Sequence, residues 1–441
     1  MGALGGLQCA VLVWGSGAPT ATQLFAVLTA AALGGAALLW VAFDTHFAQT
    51  PLAWVFGLAL VLRLMAVQAD PLLEDDHYRY LWDGMRTARY FDPYRLAPAA
   101  FFGADELAPR WQDILSGINN PDIPTLYGPV LQALFALAHW LAPGRVGAIQ
   151  GLVLLVDLGC FALLARLGVA SRGLLVYALH PMILKEAMAS AHPDGLVALW
   201  LLLAVLAWRR ERMGLTGVLL GLAVATKVAA LLVVPLFLFA PQRTLAFGRT
   251  SSAVALGFVL ALGTAYLPFL AGGTSDALGL QTFAAQWRFN PLLYRVIEAA
   301  VPNGMARPVA ALTITAGMAA LLWRWRVVST VNREMAMPPV DSVFLLLLLF
   351  APVVNPWYAL WALAPAIAAR RPLVPVMGCV GVLAYLNGST LQEAVGQADT
   401  GLIAPYSVPW PVALVQVSAL VLAAAWVGRS NSRKETTTGR D

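Results

Sequence analysis

Charge is scarce in this chain of 441 residues: Asp, Glu, Lys and Arg together make up 12% of it, about half the share found in soluble domains. That scarcity excludes an ordinary water-soluble fold. It also makes the net charge of +5 a matter of short basic loops and not a nucleic-acid signal. Lysine is almost missing: Lys185, Lys227 and Lys434 are the whole complement. The cysteines, Cys9, Cys160 and Cys379, lie far apart in apolar surroundings, so neither a disulfide framework nor a cysteine zinc site is suggested. No basic stretch opens the chain ahead of a cleavage signal, and the N-terminus reads as retained. No short-period repeat is evident. What fills the chain is apolar: 60% hydrophobic residues and a mean hydropathy of +0.73 describe an all-α polytopic membrane protein.

Runs near the ~20 residues that a bilayer requires fall at 21–43, 52–69, 252–271, 307–326, 373–391 and 409–428. Arginine clusters set the orientation, because cytoplasmic loops collect positive charge. They are Arg209, Arg210 and Arg212; Arg243 and Arg249; Arg324, Arg326 and Arg333; Arg370 and Arg371; and Arg429, Arg433 and Lys434. Placing these inside puts residues 70–124 outside. Segment 214–240 begins and ends near cytoplasmic charge yet has only 27 residues. Its length predicts two short helices meeting at Ala225-Thr226-Lys227. Segment 342–369 repeats the pattern, with Asn355-Pro356-Trp357-Tyr358 at its outer turn. Broken helices are tolerated at membrane depth only where they line a cavity enclosed by protein, so two of them pointing outward imply a cavity open to the outer side. Residues 3–16 read as a span or an interfacial segment. Among the apolar stretches 126–142, 147–166 and 172–184, parity makes one re-entrant or interfacial. On this reading residues 1–428 form one transmembrane domain and the polar stretch 429–441 a disordered cytoplasmic tail.

The outer segment 70–124 holds ten of the 23 acidic residues, with five arginines. Tyr78, Tyr80, Trp82, Tyr90, Tyr94 and Trp111 are interleaved with them, as expected of a structured surface that meets a polar substrate. Glu74, Asp75 and Asp76 are adjacent; mutual repulsion raises the pKa of some of them, and a raised carboxylate is a better general base. The plainer account is a helix N-terminus decorated with acids to suit its dipole, and the two are compatible. In a helix Asp76 and Tyr80 share one face, Arg79 and Asp83 another, which makes Arg79 a counter-ion for Asp75 or Asp83.

Lys227 at membrane depth costs at least ~2.5 kcal/mol and implies a ligand or a counter-charge; a phosphate suits it, and snorkelling is the alternative. Lys185 has Glu186 beside it for local neutralisation. His180-Pro181-Met182 and His192-Pro193-Asp194-Gly195 fall on the outer side, Asp194 where it can cap the next helix; His192 is neither spaced nor clustered as a metal ligand. Tyr127 ends the loop at an interface, where aromatic residues gather, and Arg288 in Gln286-Trp287-Arg288-Phe289-Asn290-Pro291 is placed to bind an anion.

The string Asp75-Asp76-His77-Tyr78-Arg79-Tyr80-Leu81-Trp82-Asp83-Gly84, followed by Phe91-Asp92-Pro93-Tyr94 and Ala97-Pro98, resembles the first outer loop of bacterial polytopic glycosyltransferases of the GT-C superfamily. It is most similar to the polyprenyl-phosphate-mannose-dependent mannosyltransferases. The likeness continues in order. Asn119 and Asn120 with Pro124-Thr125-Leu126-Tyr127-Gly128-Pro129 resemble the family's Tyr-Pro-Pro segment, with Gly128 where a proline is usual. His192-Pro193-Asp194 resembles its His-x-Asp element, Gly221 to Lys227 its glycine-rich helix ending in lysine, and Pro356-Trp357-Tyr358 its late turn.

The resemblance implies a GT-C helical bundle with a structured extracytoplasmic first loop, in a bacterial inner membrane. It implies transfer of a sugar, mannose by likeness, from a polyprenyl phosphate to a glycan or lipid acceptor hydroxyl. An acidic loop residue is the base: Asp76 by position, then Asp75. One base and one displacement give inversion. Lys227 holds the donor phosphate with Arg288 as helper; Glu74, Arg79, Tyr80, Asp83, Tyr127, His192, Asp194, Trp357 and Tyr358 are the expected substrate contacts. The resemblance fixes no cofactor. A divalent cation stays open because carboxylates and phosphate attract one, although no ligand set with diagnostic spacing is present. The competing class is a transporter or flippase, which also carries broken helices and intramembrane charge; it predicts a two-half repeat, which the sequence does not display, and leaves the acidic loop unexplained.

Overall fold

Apolar runs can satisfy their backbone in a bilayer only as helices or closed barrels. Helix is what the described residues of the computed structural model hold, with no strand among them and a single isolated bridge between Phe289 and Val353. The described residues are 1–104, 106–239, 247–331, 337–396 and 404–438; the basic positions Arg243 and Arg333 lie outside them. Thr20–Phe43, Val146–Arg166, Gly248–Ala271, Ala306–Val328 and Trp410–Val427 are long and apolar enough to cross a membrane, and Leu373–Tyr385 with Gly388–Ala394 forms a sixth candidate bent by 52°. The expected span 52–69 is shorter, Leu52–Ala66, because Gln68 and Asp70-Pro71 follow it. The last helix, Trp410–Thr438, takes in most of the stretch that composition reads as a disordered tail; residues 439–441 lie outside the described residues.

Both expected helix breaks are present. Met213–Thr226 stops at Lys227, whose backbone is extended (φ −143°, ψ 123°), and a 3-10 turn Val228–Val233 precedes Val234–Leu238. Val340–Phe350 gives way to extended Asn355, as a residue before proline prefers, then to the 3-10 turn Pro356–Ala359 and Leu360–Ala368. The region 126–190 resolves into Pro129–Leu141, Val146–Arg166, Ser171–Leu179 and a π-helix Ile183–Ala189.

Small residues bring the backbones into contact, as in membrane helix pairs that lack a hydrophobic drive to associate. Met213–Thr226 lies against Phe247–Ala271 so closely that a Cβ on Gly217 would stand 2.0 Å from the Val254 carbonyl oxygen, and one on Gly257 2.1 Å from that of Gly214. A buried ion pair ties three other helices. Arg63 donates from Nε to Asp157 Oδ2 (2.6 Å) and from Nη1 to the Ala178 carbonyl (2.8 Å), while the Tyr177 hydroxyl donates to Asp157 Oδ1 (2.7 Å). Arg63 is fully buried. Removing one member leaves a lone charge in the interior, at a cost of ~3–5 kcal/mol, whereas replacing both by apolar groups is often near neutral. Asp157→Leu is therefore expected to lower the unfolding temperature in detergent strongly, and Arg63→Met combined with Asp157→Leu to recover most of the loss, as a thermal melt will read.

Candidate active site

The loop 70–124 owes its order to the helix Asp76–Tyr90, whose apolar face packs on Pro129–Leu141. Gly84 permits this: a Cβ there would stand 2.4 Å from the Phe135 carbonyl oxygen. Tyr80 stacks on Phe135 at 4.8 Å between ring centroids. Phe91, left-handed at φ 55°, ends the helix. Asp76 thus starts a rigid helix and Tyr80 follows one turn later on the same side, as the periodicity predicts.

Asp76 sits in a cage of donors. The Tyr127 hydroxyl donates to Oδ2 at 3.3 Å, the Tyr80 hydroxyl lies 3.5 Å from the same oxygen, and the Asn119 amide donates to Oδ1 at 3.3 Å. The same amide donates to Asp75 Oδ1 at 2.5 Å. Desolvation raises Asp76 above the ordinary carboxylate range, opposed by the Asn119 bond and by Lys227. Desolvation and then the neighbouring Asp76 push Asp75 up to about 6. Glu74 is raised well above the ordinary carboxylate range, by desolvation first.

Lys227 arrives from the helix break. Its ammonium lies 3.6 Å from Asp194 Oδ1 and 4.8 Å from the centre of the Tyr127 ring. One tyrosine therefore touches both groups, its ring under the lysine and its hydroxyl on the carboxylate it helps to cage. Gly128 makes the approach possible, since a Cβ there would stand 2.2 Å from the Ala225 carbonyl oxygen. Asp194 begins Gly195–Arg209 without capping it through its side chain; it accepts instead from Trp361 Nε1 at 2.6 Å. The expected capping role gives way to a charge partnership, because a buried ammonium needs its counter-ion more than the helix needs a cap. Trp361 stacks on Tyr358 at 4.3 Å, and Trp357 stacks on His192 at 4.0 Å, so both broken helices feed one cluster.

A second layer surrounds His192. Its Nδ1 pairs with the Tyr80 hydroxyl at 2.8 Å. Its Nε2 lies 3.7 Å from Glu74 Oε2 and 3.7 Å from Glu186 Oε2. The Tyr385 hydroxyl sits 2.6 Å from Glu74 Oε1 and 2.9 Å from Glu186 Oε1, and Lys185 donates to Glu186 Oε2 at 3.1 Å and to the Tyr385 oxygen. Lys185 and Glu186 lie on the π-helix, a form that recurs at functional sites. Leu73 and Ala191, the residues just before Glu74 and just before Pro193's neighbour His192, are both left-handed, at φ 55° and 61°, an uncommon conformation for side chains of their kind.

Most of the expected site comes together: Glu74, Asp75, Asp76, Tyr80, Tyr127, His192, Asp194, Lys227, Trp357 and Tyr358. Three residues do not join. Arg288 forms a two-pronged pair with Glu298 at 2.7–3.1 Å on an exposed surface, a local counter-charge that sequence separation concealed. Arg79, expected as a counter-ion for Asp75 or Asp83, pins the loop by donating to the Ile123 carbonyl, and its charge favours the ionised forms of Asp83 and Asp76. Asp83 is buried one turn further along, where Gln132 Nε2 donates to it at 3.2 Å. The sequence reading missed Glu186, Tyr385 and Trp361 as site members; an apolar run around Lys185-Glu186 and an isolated tyrosine offer little signal. A small pocket lies beside the second break, lined by Asn290, Asn355, Pro356, Met377 and Gln416 among others, apart from Asp76 and Lys227.

The arrangement supplies a carboxylate held ready to accept a proton, a nearby ammonium suited to negative charge, and aromatic walls suited to a sugar. No curated protein and no solved structure matches the chain. A family model described as alpha-(1->6)-mannopyranosyltransferase, N-terminal domain, matches residues 4–243, more than half of the chain. The site draws on both sides of that limit, with Trp357, Trp361 and Tyr385 beyond it. The chain is an integral membrane protein of the MptA_B family of GT-C-type mannosyltransferases.

Proposed function

We infer that this mannosyltransferase takes its sugar from a polyprenyl phosphate on the outer side of the bacterial inner membrane and passes it to an acceptor hydroxyl with inversion. The observation that supports this best is that Asp76 and Lys227 meet at Tyr127, the carboxylate at its hydroxyl and the ammonium over its ring, with the lysine charge felt at Asp76. An alcohol is a weak nucleophile; a carboxylate within about 3 Å takes its proton as the new bond forms. Asp76 is that base. The glycosidic bond to phosphate breaks at the same time, and the leaving phosphate gathers negative charge. Lys227 stabilises it in a low-dielectric site, with the Asp194 carboxylate holding the ammonium in place. The lipid chain lies among the apolar helices. A single displacement that forms an alpha linkage requires a donor of beta configuration, and a 1→6 linkage requires a primary hydroxyl on the acceptor.

Asp75 is the most exposed of the three loop acids and shares only the Asn119 amide with Asp76, so it shapes the charge of the base without replacing it. Asp76→Asn is expected to lower kcat by ~10²–10⁴-fold with membrane insertion and melting unchanged, and Asp75→Asn to keep turnover within about tenfold of wild type, a margin far smaller than the loss of a general base. The reverse ranking would remove Asp76 from its role.

For Lys227→Met, turnover of polyprenyl-phosphate-mannose should drop ~10²-fold or more, with weaker donor binding. Unchanged donor binding and unchanged turnover would take the lysine out of the phosphate site.

The base works only when charged. Because desolvation raises Asp76, activity should fall on acidification at a pH above the ordinary carboxylate range. The Asn119 bond favours the charged form, so Asn119→Ala should move the acid limb of kcat/KM to higher pH. A limb that stays put or moves down would contradict the assignment.

A further inference from the structure

We propose that Glu74, His192 and Glu186 form a binding site for one transition-metal dication, Zn²⁺ or Mn²⁺. One oxygen of each glutamate and His192 Nε2 lie within 4.8 Å of one another. Tetrahedral coordination at ~2.1 Å places ligand atoms ~3.4 Å apart, so the 3.7 Å separations from His192 Nε2 to Glu74 Oε2 and to Glu186 Oε2 close on an ion with shifts of a few tenths of an ångström. Residues 74, 186 and 192 come from the loop, the π-helix and the turn after it, and all three are fixed by other contacts.

The imidazole carries the argument. His192 is fully buried, and its Nε2 has no hydrogen-bond partner among the described residues. A buried nitrogen left bare is costly, yet it points at two carboxylate oxygens. The other nitrogen is already spoken for: Nδ1 and the Tyr80 hydroxyl share a hydrogen bond of 2.8 Å. With Nδ1 as its donor, Nε2 carries the lone pair that a metal requires, and the bond is the outer-layer contact that metal-bound histidines usually make. The ring is further held by Trp357 at 4.0 Å.

Charge points the same way. Tyr385 has one proton for two glutamates, and among the described residues Lys185 is the ammonium in direct contact with the pair, through Glu186. Two buried carboxylates against one ammonium leave a negative excess, which a dication relieves. On binding, the ion takes Glu186 Oε2 and Lys185 keeps the Tyr385 oxygen. An imidazole with two carboxylates selects a first-row transition ion over Mg²⁺ or Ca²⁺, which prefer all-oxygen shells. Through His192 and Tyr80 the ion is linked to Asp76, so it positions the base without touching the sugar.

The test does not depend on the sugar-transfer reading. The full-length chain, purified in detergent without a histidine tag and stripped with a chelator, is titrated with ZnCl₂ and with MnCl₂ by calorimetry, and the bound metal is counted by mass spectrometry. One ion per chain is expected. Co²⁺ loading should give the visible bands of a low-coordinate site. His192→Ala should weaken binding at least 100-fold. Because that ring is buried, Glu74→Gln is the second variant: it lies in the loop, and should weaken binding at least tenfold with an unchanged melt. Tyr80→Phe should weaken it about tenfold through the imidazole. No stoichiometric ion at millimolar Zn²⁺ or Mn²⁺, or binding indifferent to both Glu74→Gln and His192→Ala, would overturn the site. Loss of transfer in Asp76→Asn with metal binding intact would leave it standing.

Discussion

An ammonium inside a bundle of apolar helices must meet an opposite charge, and the contact between Lys227 and Asp194 answers that demand. Much of the site follows from it. The helix Met213–Thr226 has to end where Asp194 can be reached, which fixes the level of the break. Asp194 has to be held by something other than its own helix, and Trp361 from the second broken segment does this. Once those two segments are tied together, their aromatic residues wall the cluster and the loop helix has one place to lay Asp76. The pairing uses one carboxylate oxygen and leaves Asp194 Oδ2 without a partner among the described residues.

Acid outnumbers base in this cluster. Glu74, Asp75, Asp76, Glu186 and Asp194 face Lys185 and Lys227, all within a continuous chain of contacts through Asn119, Tyr80, His192 and Tyr385. Such an excess at low dielectric is relieved by protons, by a cation, or by moving charge toward solvent. Each route has a visible counterpart: Glu74 and Asp76 raised above the usual carboxylate range, an imidazole aimed at two oxygens, and Asp75 at the open rim. Proton affinity is here a property of the network as much as of any one residue.

The fold was legible wherever one physical rule acted alone. Hydropathy and the width of a bilayer located Thr20–Phe43, Ala306–Val331 and Trp410 onward, and the shortage of residues between basic loops located both breaks to within a few positions. The site was legible where rarity carried meaning, as for Lys227 in a chain nearly without lysine and for the acid run at 74–76. It was not legible where meaning depends on distance in space. Arg63 and Asp157 are 94 positions apart, and nothing in either neighbourhood announces the pair. Glu186 looks like a mate for Lys185 and nothing more until Tyr385, nearly 200 positions later, arrives beside it. Arg288 looked free because its partner Glu298 lies one loop away.

The glycine contacts between Met213–Thr226 and Phe247–Ala271 carry a mechanical consequence. Two helices touching backbone to backbone, with Gly217 against Val254 and Gly257 against Gly214, have no side-chain cushion along which to slide. They travel as a single plank. The depth of the Lys227 ammonium is therefore anchored to a long span and not to its own short helix, and any gap that opens between helices must form along a different seam.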